Sequence, residues 1–379
     1  MSPSTLAMVL TLAKILVIVM VVPAVIGFVI VYAERRIMGF MQGRLGPNRV
    51  GPQGILQGLA DLLKLVAKED LTPSRAEKVG HFLGPVLSVI PALTALALIP
   101  FGTSLRIGGV ETPLYVADVN VGLLFLLGIT SISVYGIILG GWASNNKFSL
   151  LGGLRSAAQL VSYEVPMGLA VVSVLLMSRS MSLVRIVQVQ DSLHLWFVFP
   201  GLLAFFIYFV SGVAETNRNP FDLPEAESEL VSGFNTEYSG IKFAFYFLGE
   251  YTAMIIVSSV AVTIFFGGWL PPFPNALPFL RAVPGIVWFL AKVGFFVFCY
   301  IWFRSTFPRY RFDQLMSLGW KWMIPLALGN MMLVAGCVLA DTAHGRGLRV
   351  LGVVLTALFL VLFGLSRLRR RLAAAEVRP

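Results

Sequence analysis

Of the 379 residues, 57% are apolar and 13% charged, whereas a soluble domain carries roughly 45–50% apolar and roughly a quarter charged residues. That shortage of charge excludes an ordinary soluble fold and makes lipid the expected solvent. The net charge of +10 could suit nucleic acid, but the bases sit in short segments between long apolar runs, with no basic stripe carrying interleaved aromatics.

A membrane span needs roughly 20 apolar residues to cross a hydrocarbon core roughly 30 Å thick. Nine runs qualify: Leu6–Tyr32, Phe82–Phe101, Asn120–Gly141, Gln159–Ser178, Leu195–Ala214, Ile241–Gly268, Pro284–Phe303, Lys321–Ala340 and Leu348–Leu368. No basic segment precedes the first run, which is too long for the apolar core of a cleavable signal and reads as a retained span. Helices satisfy their own backbone groups in lipid, and no segment alternates as barrel strands do. The expected fold class is therefore all-α, a polytopic membrane helical bundle of nine spans forming one integral domain over residues 1–379. Between the first two spans, Ile55–Lys68 places Ile55, Leu59, Leu62, Leu63 and Val66 at helical spacing with Asp61, Lys64 and Lys68 opposite, as in a helix lying flat on the surface. Leu183–Val189, containing Arg185, reads the same way on the other side.

Basic residues concentrate in cytoplasmic loops. With the N-terminus outside, 21 lysines and arginines fall inside and six outside, which predicts an external N-terminus and a cytoplasmic C-terminus. Five cytoplasmic segments result, among them 33–81, 215–242 and 304–320; the other two hold Lys147 with Arg155 and the C-terminal arginines. The two cysteines, Cys299 and Cys337, lie at different expected depths and should be free thiols. They and the three scattered histidines, His81, His194 and His344, offer no metal or iron–sulfur site.

The first cytoplasmic loop contains Glu34-Arg35-Arg36 and then Gly46-Pro47-Asn48-Arg49, turn-forming residues that give the arginines a shaped setting rather than a random basic tail. Contact with lipid headgroups is the plainer alternative. The 215–242 segment reverses the charge rule, with Glu215, Asp222, Glu225, Glu227, Glu229 and Glu237 against Arg218 and Lys242. Asp222 followed by Pro224 and Glu225 fits a helix start, with Gly233 able to end that helix. Crowded carboxylates hold one another's protons, as suits proton exchange, although a solvated acidic loop would look similar. Ionisable groups inside spans are costly in lipid and mark candidate sites. Glu164 and Glu250 belong here, with Glu250 roughly 14 Å deep at 1.5 Å per residue, as do Lys292 and Lys14, the latter equally able to snorkel or pair structurally. With Glu34 and Glu215 these acids could form a polar path from the cytoplasmic face to mid-membrane.

The motifs just quoted, together with Ser162-Tyr163-Glu164-Val165-Pro166, Ala214-Glu215-Thr216-Asn217-Arg218, Phe221-Asp222-Leu223-Pro224-Glu225-Ala226-Glu227-Ser228-Glu229-Leu230 and Pro308-Arg309-Tyr310-Arg311-Phe312-Asp313-Gln314 before Trp320-Lys321, closely resemble the quinone-chamber membrane subunit (the H subunit) of respiratory NADH:quinone oxidoreductase, complex I. The resemblance implies a membrane component of a bacterial inner-membrane translocase. It implies a quinone chamber bordered by Glu34, Arg35, Arg36, Asp222, Glu225, Glu227, Glu229, Arg304, Arg309, Asp313 and Lys321. A proton path follows through Glu164, Glu215, Glu250 and Lys292. Quinone, such as ubiquinone, would be the substrate. NADH, flavin and iron–sulfur clusters would reside on partner subunits, namely the peripheral-arm quinone-reducing subunits and the small membrane subunits of the pumping arm. The ninth span and the tail from Arg367 depart from many relatives. Two rival readings remain: the anchoring subunit of a related membrane-bound hydrogenase, and a secondary transporter, which would need a repeat that the sequence lacks.

Overall fold

A computed structural model describes residues 3–107, 110–223, 230–272, 280 and 282–344. Twelve α-helices occur among them: α1 (Pro3–Val25), α2 (Val31–Met41), α3 (Gln57–Ala67), α4 (Lys78–Leu96), α5 (Gly122–Ala143), α6 (Lys147–Ser178), α7 (Leu183–Leu193), α8 (Leu202–Glu215), α9 (Gly240–Phe265), α10 (Gly285–Thr306), α11 (Phe312–Ser317) and α12 (Ile324–His344). Seven helices are long and apolar enough to cross a membrane: Met8–Met41, Lys78–Leu96, Gly122–Ala143, Lys147–Ser178, Gly240–Phe265, Gly285–Thr306 and Phe312–Ala340. The chain is thus a multi-pass helical membrane protein.

Its spans follow the apolar runs with informative differences. The first does not stop at Tyr32. A π-helical turn, Ile26–Ile30, joins α1 to α2, so Glu34, Arg35 and Arg36 stand on a helix rather than in a loop. The fourth begins twelve residues earlier than its apolar run, giving a 32-residue α6, about 48 Å long. Asn146 starts it, its Oδ1 accepting from the Phe148 amide at 2.9 Å, and the polar first turns pack on protein instead of lipid, which apolarity cannot report. The fifth run, by contrast, yields only the 14-residue α8, because Leu195–Gly201 is consumed in turns. A second π-helical turn, Leu318–Met323, carries α11 into α12. The ninth run and the tail lie outside the described residues, as do Glu225, Glu227 and Glu229, and with them half of the helix expected from Asp222 to Gly233; among the described residues Val231 already turns left-handed at φ 65°, and Gly233 opens a 3-10 turn rather than ending a helix.

Both surface segments are helical. In α7, Leu183, Ile186 and Val187 are buried in the core, whereas the apolar residues of α3 stay outward, Leu62, Leu63 and Val66 all being exposed. A two-stranded antiparallel hairpin, Ser104–Ile107 with Val110–Pro113, closes the loop after α4. Its strands are too short to show alternation.

The core runs between α6 and α9. Helix α6 packs against α5, α8 and α12, while α9 packs against α4 and α10. Tyr163, Tyr208, Phe197, Phe265 and Phe289 are its largest fully buried side chains. Fully buried side chains such as these favour native packing through shape and dispersion, since lipid is as apolar as the core. Both cysteine thiols are free, as expected.

Candidate functional site

The site is assembled from residues of α2, α9 and α10 and from the turn that follows α8. Glu34 sits one turn into α2 and is 3% exposed. An isolated carboxylate there would cost several kcal/mol to bury, and three donors offset that cost. Arg218 donates to Oε1 through Nη1 at 3.0 Å, Arg304 of α10 donates to the same oxygen, and the Tyr251 hydroxyl of α9 donates to Oε2 at 2.5 Å. Arg218 is shared: its Nε pairs with Glu250 Oε1 at 2.6 Å, and its guanidinium lies 4.2 Å from the centre of the Tyr251 ring. One buried arginine therefore joins Glu34 to Glu250.

Arg218 is held in place by packing rather than by secondary structure. Helix α8 ends at Glu215, and Asn217 takes a left-handed turn at φ 49°. The buried Gln159 amide of α6 donates to the carbonyls of Ala214 and Phe221, both at 2.8 Å, pinning the segment at its two ends. Asn219 Nδ2 donates to the Arg304 carbonyl at 3.2 Å, and Tyr310 stacks on Phe221 with ring centres 5.6 Å apart. Arg309 pairs with Asp222 at 2.9 Å. Burial works against the Arg218 charge, but Glu250, Tyr251 and Glu34 outweigh it and hold the guanidinium firmly protonated. Burial pushes the Asp222 carboxyl up, against the pull of Arg309, Arg304 and Arg218.

Glu250 faces a cavity of about 70 Å³, several times the volume one water needs on this measure. Glu215, Thr216, Asn217, Thr130 and Ser133 share its wall. Glu164, midway along α6, lies close enough to act on the Glu215 charge and accepts from the Ser131 hydroxyl. Glu164 and Glu250, the two carboxylates expected inside the spans, thus converge with Glu215 on one polar region, reached from Glu34 through Arg218. The cluster opens on the side of Arg304, whose side chain is 41% exposed.

Other expected site residues fall elsewhere. Arg35 pairs with Asp61 of α3 at 2.6 Å, and Arg36 donates to the Tyr32 hydroxyl at 2.5 Å and to the Gln53 carbonyl at 2.8 Å. Arg36 thus fastens the Gly46–Gly54 loop onto α2, and Arg35 fastens α3. The loop glycines allow that approach: a Cβ on Gly46 would stand 2.8 Å from Arg36 Cα, and one on Gly54 2.3 Å from the Pro47 carbonyl oxygen. Asp313 and Lys321 are exposed. Lys292 is remote from the acids. Its Nζ donates to the carbonyls of Phe266, Gly268 and Leu270 at 2.7, 2.9 and 2.7 Å, where α9 ends. Lys14 donates to the Tyr115 carbonyl at 3.3 Å, the structural alternative foreseen for it.

Three contributors escaped the sequence reading. Arg218 was counted among the loop bases but not singled out as a site, Tyr251 lies hidden beside Glu250, and Thr130, Ser131 and Ser133 form a hydroxyl run inside an apolar span. That last pattern was a readable signal, since polar groups in a span face protein or a cavity.

Comparison with known proteins decides the family. The NADH dehydrogenase family matches residues 13–335. The chain belongs to that family. It is 50% identical over 339 residues to the NADH-quinone oxidoreductase H subunit 1 of Geobacter metallireducens, covering 89% of this chain and 99% of the relative. It is 47% identical over 349 residues to the H subunit 2 of Koribacter versatilis, covering 88% and 98%. With the H subunit of Rhodospirillum centenum it shares 52% identity over 307 residues, covering 81% and 88%.

Proposed function

We propose that this chain, as the H subunit of an NADH-quinone oxidoreductase, walls the quinone chamber and passes the redox event into a proton path. The observation that carries the reading is the shared guanidinium of Arg218, bonded to Glu34 on one side and to Glu250 at the cavity on the other. Reduction of a quinone by two electrons creates negative charge and a demand for two protons. Such charge near the open edge at Arg304 competes with Glu34 for the arginines, and a weaker hold of Arg218 on either acid changes that acid's affinity for protons. Glu34, Glu250, Glu215 and Glu164 form the titratable series along which the change moves inward. Arg309, Asp222 and the acids at 225, 227 and 229 border the chamber in this reading, with Asp313 and Lys321 toward the partner. The electrons arrive from peripheral-arm subunits carrying flavin and iron–sulfur clusters, and the cavity side faces the small membrane subunits of the pumping arm. The membrane is the bacterial inner membrane, with the acidic loop in the cytoplasm.

Two measurements test this. The purified assembly should reduce quinone and lose that activity to a tunnel-blocking inhibitor; an assembly that evolves or oxidises hydrogen without quinone reduction would instead be of the hydrogenase type. Glu227→Gln or Glu229→Gln should lower quinone reductase activity more than the amount of assembled complex. Equal losses of both would reduce the acidic loop to a structural element.

A further inference from the structure

A second group of titratable side chains lies apart from the Glu34 cluster and leads to the same cavity. His81, in the first turn of α4, is fully buried. Neither ring nitrogen completes a hydrogen bond among the described residues, and the Glu237 backbone carbonyl is the acceptor that faces it. A buried polar group left this way requires an explanation, and an ordered water or a proton-transfer role are the two physical ones. The imidazole lies flat on the Tyr238 ring, centres 4.1 Å apart and planes at 11°. On its outer side stand Asp70 and Lys242, paired at 2.9 Å, with the Asp70 side chain 52% exposed.

On the inner side the Tyr238 and Tyr246 hydroxyls converge on α5. Tyr238 donates to the Gly140 carbonyl at 3.3 Å and Tyr246 to the Gly136 carbonyl at 3.2 Å. A Cβ on Gly140 would lie 1.9 Å from the Tyr246 hydroxyl and 2.9 Å from that of Tyr238, so the glycine is what allows both hydroxyls to meet there. Tyr246 then lines the cavity that holds Glu215 and Glu250. Burial pushes the Tyr238 phenol up, which keeps it neutral and able both to give and to accept a proton.

We propose that His81 is the proton-uptake residue of this protein, taking protons from the surface beside Asp70 and Lys242 and passing them over the Tyr238 and Tyr246 hydroxyls to the Glu215 and Glu250 cavity. The proposal rests on reading that cavity as the proton path. Histidine suits the task because either ring nitrogen can take up or release a proton, so the ring can accept on one side and deliver on the other. The charges that bear on it are Asp70, Glu237 and Lys242, with Tyr238 on its face, Tyr246 beyond, and Glu77 and Lys78 on its own helix. Stacked rings do not exchange a proton directly, so the hop to Tyr238 runs through a water at the ring edge.

The test uses inside-out membrane vesicles containing the whole complex, with NADH-driven quinone reduction and vesicle acidification measured from about pH 6 to about pH 9. Activities are divided by the amount of assembled complex. His81→Gln should be impaired mainly on the alkaline side, falling up to about tenfold further per pH unit once bulk proton concentration sets the supply. Glu215→Gln should lose activity across the whole range. A His81→Gln profile parallel to wild type, whether unchanged or uniformly lowered, overturns the uptake role. If Glu215→Gln behaves as wild type, the cavity reading fails independently of His81. If His81→Gln does not assemble, Asp70→Asn on the outer side of the imidazole and Tyr246→Phe beyond Tyr238 on the inner side read the same alkaline limb. Wild-type profiles in both overturn the proposal.

Discussion

Two half-buried charges in this molecule, alike in sequence, differ in their partners. Glu250 and Lys292 both lie well inside apolar runs, and both were expected on the proton path. Glu250 shares Arg218 with Glu34 and borders a cavity containing another carboxylate. Lys292 spends its three donors on three backbone carbonyls at the end of α9, with the Trp196 ring 4.6 Å away. A helix C-terminus carries partial negative charge and unpaired carbonyls, so a lysine there is a cap. The lesson is that the cost of a charge in lipid shows that it has a purpose, whereas its partners show which purpose. A group bonded to another titratable group can change state with it; one bonded to the backbone has nothing to exchange with.

The comparison is broken most forcefully at Arg218. Arg218→Met leaves Glu34 and Glu250 buried without their shared cation, a loss of about 3–5 kcal/mol for each broken buried pair. Little assembled complex should survive on native gels. Arg218→Lys retains the charge but has a single head that cannot bond both acids in the same directions. It should assemble in larger amount yet lose quinone reductase activity per complex. Full activity in Arg218→Lys would show that the link between the two acids is dispensable.

At the opposite end the expected effect is smaller and of another kind. Lys292→Met leaves three buried carbonyls without their donor, about 1–3 kcal/mol for an unsatisfied group. The complex should melt at a lower temperature while quinone reduction and acidification per assembled complex stay close to wild type. A selective loss of acidification at unchanged melting temperature would return Lys292 to the proton path and remove the contrast with Glu250.

The mildest measurement sharpens the comparison by fixing which side each region faces. Reporter fusions at Ser4 and Val377 should place the N-terminus outside and the C-terminus in the cytoplasm, putting the Glu34 end inside and the Lys292 end outside. Both termini on one side would remove a span from the topology and reopen the assignment from Pro284 onward.

Apolar run length alone locates seven of the nine expected spans as membrane-length helices among the described residues, because lipid demands about 20 uncharged residues and an unbroken helix whatever the neighbours are. The same cost exposed Glu164 and Glu250, since few carboxylates are tolerated inside an apolar run without a role. The motifs around Glu34, Glu215 and Arg309 carry the family resemblance, and the segments bearing them meet in the fold through Arg218, Asn219 and Tyr310. Where apolarity was not the deciding quantity, the tertiary structure decided. It extended α6 and α2 beyond their apolar runs, made Arg36 the fastener of a loop and Arg35 that of α3, and placed Lys292 against a helix end. It also made Arg218 the centre of the site, although in sequence it is one base in an acidic loop. Its importance lies in two bonds, to residues 184 positions away at Glu34 and to Glu250 on another helix, and contacts between distant segments leave no local pattern in composition or spacing.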